Sequence, residues 1–163
     1  MAEVIQLVIH DPRWKDIYRT ESERLRQALG PKVSTVHHVG STAVPSIRAK
    51  PIVDIATESR EYPPSDETIS VLASLGYEHR GSAGVPGRHW FTRGSPRLIN
   101  LHWCPRKGNV VRDQLKFRDR LIVDIFLAKE YEQLKLDAAI DKDVDDSSYA
   151  EAKSEFINLV LDA

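Results

Sequence analysis

One cysteine, Cys104, and one methionine, Met1, are the only sulfur-containing residues in this 163-residue chain. An internal disulfide and a cysteine-caged zinc are therefore excluded, and a reducing compartment suits the chain. Aromatic residues are sparse at 7%. Long apolar runs are missing too: the stretch from Leu121 to Ala128 is interrupted by Asp124 and is too short to span a bilayer. The net charge of -1 gives no global field toward nucleic acid or an anionic membrane, and no lysine-rich stripe is visible. Met1-Ala2-Glu3-Val4-Ile5-Gln6 has neither the basic start nor the apolar core of a signal peptide. The expectation is a cytoplasmic protein with no membrane partner and no nucleic-acid partner. With 41% apolar and 29% charged residues, the composition suits a globular protein, and the length suits one domain over 1–163.

The pattern predicts an α+β fold. A strand is expected over Val4 to Ile9, followed by a helix whose start is marked by Asp11-Pro12 and whose end is marked by Gly30-Pro31. Strands are expected over Ser34 to Val39 and Pro51 to Thr57, with Asp54, Ala56 and Glu58 on one side of the second. A helix begins near Ser65-Asp66-Glu67 and stops at Gly76. Tyr77 to Arg80, Arg88 to Thr92 and Leu98 to Cys104 read as strands, the last two joined by Arg93-Gly94-Ser95-Pro96. Three helices then follow, over Val110 to Ala128, Lys129 to Ile140 and Ser148 to Leu161, with the acidic stretch Asp141 to Asp146 linking the last two. Strands first and helices afterwards place the C-terminal helices beside a sheet.

The most informative segment runs His37-His38-Val39-Gly40-Ser41-Thr42-Ala43-Val44-Pro45, then Ala49-Lys50-Pro51-Ile52-Val53-Asp54-Ile55-Ala56. Glycine has no Cβ in the way, so a Gly-Ser turn can bring backbone N–H groups close to a phosphate. A carboxylate at the head of the following strand can hold the magnesium that such a phosphate carries. An ordinary tight turn is the other reading of Gly40-Ser41. Asp54 interrupts an apolar strand, where an unpaired carboxylate is costly, so it needs either a metal or a buried cation such as Lys50 or Arg48. The spacing of turn and acid resembles that of the nucleotidyltransferase superfamily.

More narrowly, these stretches resemble the GrpB family, a branch of the nucleotidyltransferase superfamily. Agreement extends to Gly84-Val85-Pro86-Gly87-Arg88 with Phe91, Leu101-His102, Leu115-Lys116-Phe117-Arg118-Asp119, Glu130-Tyr131 through Lys135, and Tyr149-Ala150-Glu151-Ala152-Lys153. The resemblance thus covers almost the whole chain. It implies a nucleotidyltransferase-like mixed β-sheet flanked by helices, with a nucleoside triphosphate held at Gly40, Ser41 and Thr42. Mg2+ or Mn2+ is the implied cofactor. In the superfamily, two acids two positions apart and a third on a neighbouring strand bind two divalent ions. Here Ala56 stands two positions after Asp54. Glu58, the next acid on that face, lies roughly 13 Å further along the strand. The third-acid position corresponds to His102, a softer ligand than carboxylate.

The implied metal set is therefore Asp54, Glu58 and His102, and the implied catalytic set is Asp54, Lys50 and His102. Lys50, Arg88 and Arg93 are the cations available to neutralise phosphate. Arg118 and Lys153 lie on helices that could close over the nucleotide. Trp90 and Trp103 could stack on a base or belong to the core. Two functions follow. One is metal-dependent transfer of a nucleoside monophosphate from a triphosphate to a small-molecule acceptor. The alternative is a catalytically reduced module that binds a nucleotide or a phosphorylated metabolite.

Overall fold

The computed structural model describes residues 6–140 and 146–163. A first helix, α1 (Arg13–Leu29), opens where Asp11 accepts the backbone N–H of Arg13 at 2.9 Å. It leads through the short 3-10 turn Gly30–Lys32 into β1 (Val33–Val39). A second 3-10 turn, Ser41–Ala43, separates β1 from β2 (Val53–Ser59). Next come α2 (Asp66–Ser74), β3 (Tyr77–His79), β4 (His89–Arg93) and β5 (Ile99–Pro105). Three helices close the chain: α3 (Asn109–Val123), α4 (Ile125–Ile140) and α5 (Asp146–Asp162).

The strands form one five-stranded mixed sheet in the order β1-β2-β5-β4-β3. Only the central pair, β2 with β5, runs parallel; the other neighbours are antiparallel. Strand alternation divides the sheet cleanly. Val53 and Ile55 of β2 and Leu101 and Trp103 of β5 face a core completed by Trp14, Leu25 and Leu72 from α1 and α2. The opposite face carries Asp54 and Ala56 of β2 and Asn100, His102 and Cys104 of β5. Ala56 and Cys104 there pack against Val111 of α3. A further core holds the C-terminal helices together through Phe117, Leu121, Tyr131 and Val160, and docks them on Val44 and Ile47 beyond the Gly-Ser turn.

Two sequence expectations change. Of the strand expected over Val4 to Ile9, Val4 and Ile5 lie outside the described residues, and the remainder makes only an isolated bridge between Val8 and Ala49. The helix expected over Val110 to Ala128 is two helices, because Asp124 adopts extended backbone and its carboxylate accepts the N–H of Leu127 at 3.0 Å. That bond caps α4, which redirects the chain. Of the acidic linker, residues 141–145 lie outside the described residues, and Asp146 begins α5. No helix among the described residues is long and apolar enough to cross a membrane.

Candidate functional site

The Gly-Ser turn and Asp54 meet because β1 and β2 are antiparallel and place Val39 opposite Asp54. Gly40 follows directly with φ of 74°, in the left-handed region. A Cβ on Gly40 would lie 2.5 Å from Asp54 Oδ2. Only glycine fits both the backbone angle and the closeness of the carboxylate. The turn is braced from behind by His38, whose Nε2 pairs with Thr42 Oγ1 at 2.9 Å and whose ring stacks on Tyr18 at 4.9 Å. Burial lowers the His38 pKa to about 4, so at neutral pH it is an uncharged strut.

Asp54 meets its first partner across the parallel pair. His102 Nε2 lies 3.1 Å from Asp54 Oδ1. Burial pushes the Asp54 carboxyl upward, but the His102 hydrogen bond and charge, with Lys153 and Asn100, outweigh it and hold the group below the usual carboxylate value. Asn100 stands in register with Asp54 and accepts the indole N–H of Trp90 at 3.1 Å. Arg88 Nη1 approaches His102 Nδ1 at 3.4 Å, and its buried Nε has no hydrogen-bond partner.

These groups line a cleft of about 440 Å³. Its walls include Ser41, Thr42, Lys50, Arg88 and Lys153 of the sequence-predicted set, together with Asp54 and His102. Lys50 and Lys153 lie over the Tyr149 ring at 4.7 and 5.2 Å, and Arg97 lies over the Trp90 ring at 5.1 Å. Such stacking holds each cation beside the opening by its attraction to the aromatic face.

Four sequence-predicted residues lie elsewhere. Glu58 is not in the cleft wall: it pairs with His37 at 3.0 Å and accepts the backbone N–H of Lys107 at 3.4 Å. Four positions of strand carry it away from Asp54. Arg118 is also outside the wall and acts behind the turn, donating to the His38 carbonyl at 3.0 Å and pairing with Asp119. Arg93 donates to buried Glu21 at 3.2 Å. Trp103 belongs to the core, with its indole N–H on the Glu61 carbonyl at 2.9 Å.

Sequence reasoning missed four polar residues of the wall: Arg97, Asn100, Lys135 and Tyr149. Lys135 is the least expected. It sits on α4, is only 2% exposed, and donates from Nζ to Ser41 Oγ at 2.8 Å and to the Arg48 carbonyl at 3.2 Å. The stretches ending at Lys135 and beginning at Tyr149 matched the family, which was the available signal.

Among the described residues, no group of three or more His, Cys, Asp or Glu side chains gathers to hold a metal. Asp54 and His102 meet, and Ala56 is fully buried where a second carboxylate would stand. One carboxylate with phosphate oxygens from a ligand is a donor set that suits a single magnesium. A second ion, which a two-metal centre would hold about 3.5–4 Å away, lacks its carboxylate here.

A mixed sheet with a Gly-Ser turn closing on one strand aspartate, and helices packed beyond the turn, is a nucleotidyltransferase-like fold. The chain belongs to the GrpB family, described as GrpB protein, which matches residues 4–163. The UPF0157 protein YqkA of Bacillus subtilis is 30% identical over 154 residues, 94% of this chain and 45% of YqkA. The chain thus spans less than half the length of that relative. The crystal structure of conserved protein GrpB from Enterococcus faecalis superposes with a TM-score of 0.77 at 28% identity, covering 94% of this chain and 98% of that one. Cid1 poly(U) polymerase, solved with Mg and 3'-dATP bound, superposes with a TM-score of 0.50 at 16% identity over 80% of this chain and 44% of Cid1. At that identity the likeness is one of fold.

Proposed function

We propose that the cleft binds the phosphates of a nucleoside triphosphate and transfers the nucleoside monophosphate to a small-molecule acceptor. The observation that carries this reading is the charge of the cleft: Lys50, Arg88, Arg97, Lys135 and Lys153 line it, and Asp54 is the only carboxylate of the wall among the described residues. Compact cation clusters beside a backbone turn match a polyphosphate better than a neutral metabolite. In the transfer, an acceptor oxygen forms a bond to the α-phosphorus while the bond to the bridging oxygen breaks and pyrophosphate leaves. Asp54 would hold a magnesium or manganese ion with the phosphate oxygens. Such an ion supplies charge neutralisation at the reacting phosphoryl group. His102 fixes the Asp54 carboxylate through Oδ1, and Arg88 braces His102 on its far side. A cytoplasmic setting fits the single buried thiol.

A second reading is favoured by Ala56: with one carboxylate, the cleft would bind a nucleotide or phosphorylated metabolite without turnover. Calorimetry with ATP, GTP, CTP and UTP, with and without magnesium, tests the shared part. At least one triphosphate should bind, more tightly with magnesium, and Asp54→Asn should remove the magnesium gain. Equal affinity with and without the metal in both proteins would sink the metal role. Pyrophosphate release across a panel of small acceptors then separates enzyme from binding module.

A further inference from the structure

Lys135 is a buried cation whose two hydrogen-bond partners among the described residues are both neutral. Its Nζ donates to a hydroxyl, Ser41 Oγ, and to a carbonyl, Arg48 O, and lies 4.9 Å from the centre of the Tyr131 ring. Among the described residues no carboxylate forms an ion pair with it. Burying an ammonium without a counter-ion is costly, and proteins relieve that cost by releasing the proton or by supplying an anion. The side chain lies on the inner wall of the cleft, against the turn assigned above to phosphate. A ligand anion at Ser41 would therefore stand next to Lys135 Nζ.

We propose that Lys135 anchors a phosphate of the bound nucleotide and takes up a proton from solvent as that phosphate arrives, so that ligand binding itself charges the site. The inference rests on the triphosphate reading above. Its chemistry balances simply: one proton moves from solvent to a neutral amine, and the ammonium so formed pairs with a phosphate oxygen.

The groups around Lys135 agree with this. Burial first, and then the positive charge of Lys153 on α5, lower its pKa to about 7. Lys50, on the segment before β2, lowers it further, while Glu132 on α4 and Asp54 on β2 pull in the opposite direction. Tyr131 and Tyr149 are held neutral by burial, which pushes the Tyr149 hydroxyl up to about 12 and that of Tyr131 also upward. At neutral pH the empty cleft therefore keeps Lys135 partly uncharged. An arriving phosphate adds the strong opposite charge that the protein withholds, and the amine protonates. The same contact ties α4 to the Gly-Ser turn, so the anion is gripped between the sheet and the helical layer.

The test is calorimetric titration with ATP, magnesium present, at about pH 8 in two buffers of different ionisation enthalpy, where the nucleotide is already fully deprotonated and the free amine mostly neutral. The parent should take up close to one proton per site, and its affinity should fall roughly tenfold per pH unit above pH 8. Lys135→Met, which keeps length and removes the charge, should bind on the order of 100-fold more weakly with no linked proton uptake. Lys135→Arg should retain binding without proton uptake, because arginine stays charged. Binding by the parent with no uptake, or uptake that persists in Lys135→Met, overturns the proton-linked anchor and leaves the triphosphate site standing. If ATP does not bind, GTP, CTP and UTP are titrated in the same way. Failure of all four overturns both the site and its anchor.

Discussion

Glu21 and Lys135 are buried to nearly the same degree, 3% and 2% exposed, on opposite sides of the sheet, yet the protein treats them differently. Glu21 on α1 is saturated. It receives Arg24 at 2.9 and 3.0 Å, Arg93 at 3.2 Å and the Tyr77 hydroxyl at 2.7 Å. Those bonds tie α1 to β3 and β4, and the charge is cancelled within the fold. Lys135 ties α4 to the Gly-Ser turn, among the described residues, through neutral groups only. A buried charge that the chain satisfies itself is architecture. One that the described residues leave without a counter-charge is where the proposed ligand anion would bind.

Substitutions can break this contrast. The largest effect is expected from Glu21→Ala, which strands two arginines and the Tyr77 hydroxyl and should cost about 3 kcal/mol. Urea denaturation measures it; a loss well under about 1 kcal/mol would mean that the cluster does not hold α1 to the sheet. Lys135→Met should act in the opposite sense, leaving stability unchanged or raising it by about 1–2 kcal/mol near neutral pH, since an apolar isostere removes the uncompensated charge. The sign is fixed by linkage. The folded pKa of about 7 lies below the ordinary lysine value of 10.5, so between them the unfolded chain binds more protons. The destabilisation by Lys135 is therefore full below about pH 7 and fades as pH rises toward 10.5. Denaturant midpoints at about pH 6.5 and 9.5 should show the gap between Lys135→Met and the parent narrowing at the higher pH. An equal gap at both would contradict the depressed pKa.

The smallest effect concerns Glu58. Its pairing with His37 is partly exposed, so Glu58→Gln should cost below about 1 kcal/mol and leave magnesium-dependent nucleotide binding unchanged. A marked loss of that binding would bring Glu58 into the cleft's chemistry and enlarge the site beyond Asp54 and His102.

The elements themselves were readable where local signals and period agreed. Asp11-Pro12, Gly30 and the alternation through β2 and β5 each correspond to observed structure. The break at Asp124 was not seen because Ile122, Val123, Ile125 and Phe126 continue an apolar run, although Val123 and Phe126 are 84% and 87% exposed. An aspartate inside such a run is also a capping signal, and that is how it acts. The Gly-Ser turn and Asp54 were legible because their closeness follows from one antiparallel pair. Lys135 was not, because a helix lysine usually faces water. Its burial depends on how α4 docks over the turn, a distant packing event that no local pattern encodes. Arg93 misled for the complementary reason: its positive charge was visible, while its partner, Glu21, was far away in sequence.

The lone thiol gives the protein a built-in stopwatch. Cys104 is fully buried on β5, its Sγ 3.7 Å from the His102 carbonyl, and burial pushes its pKa up to about 12. Alkylating reagents need an accessible thiolate, so the native molecule should resist them. Because β5 is the central strand, labelling requires the middle of the sheet to part rather than an edge to fray. The rate of modification, read by mass with and without a nucleotide present, would time how often that centre opens and how far a ligand at Asp54, on the adjacent strand β2, holds it shut.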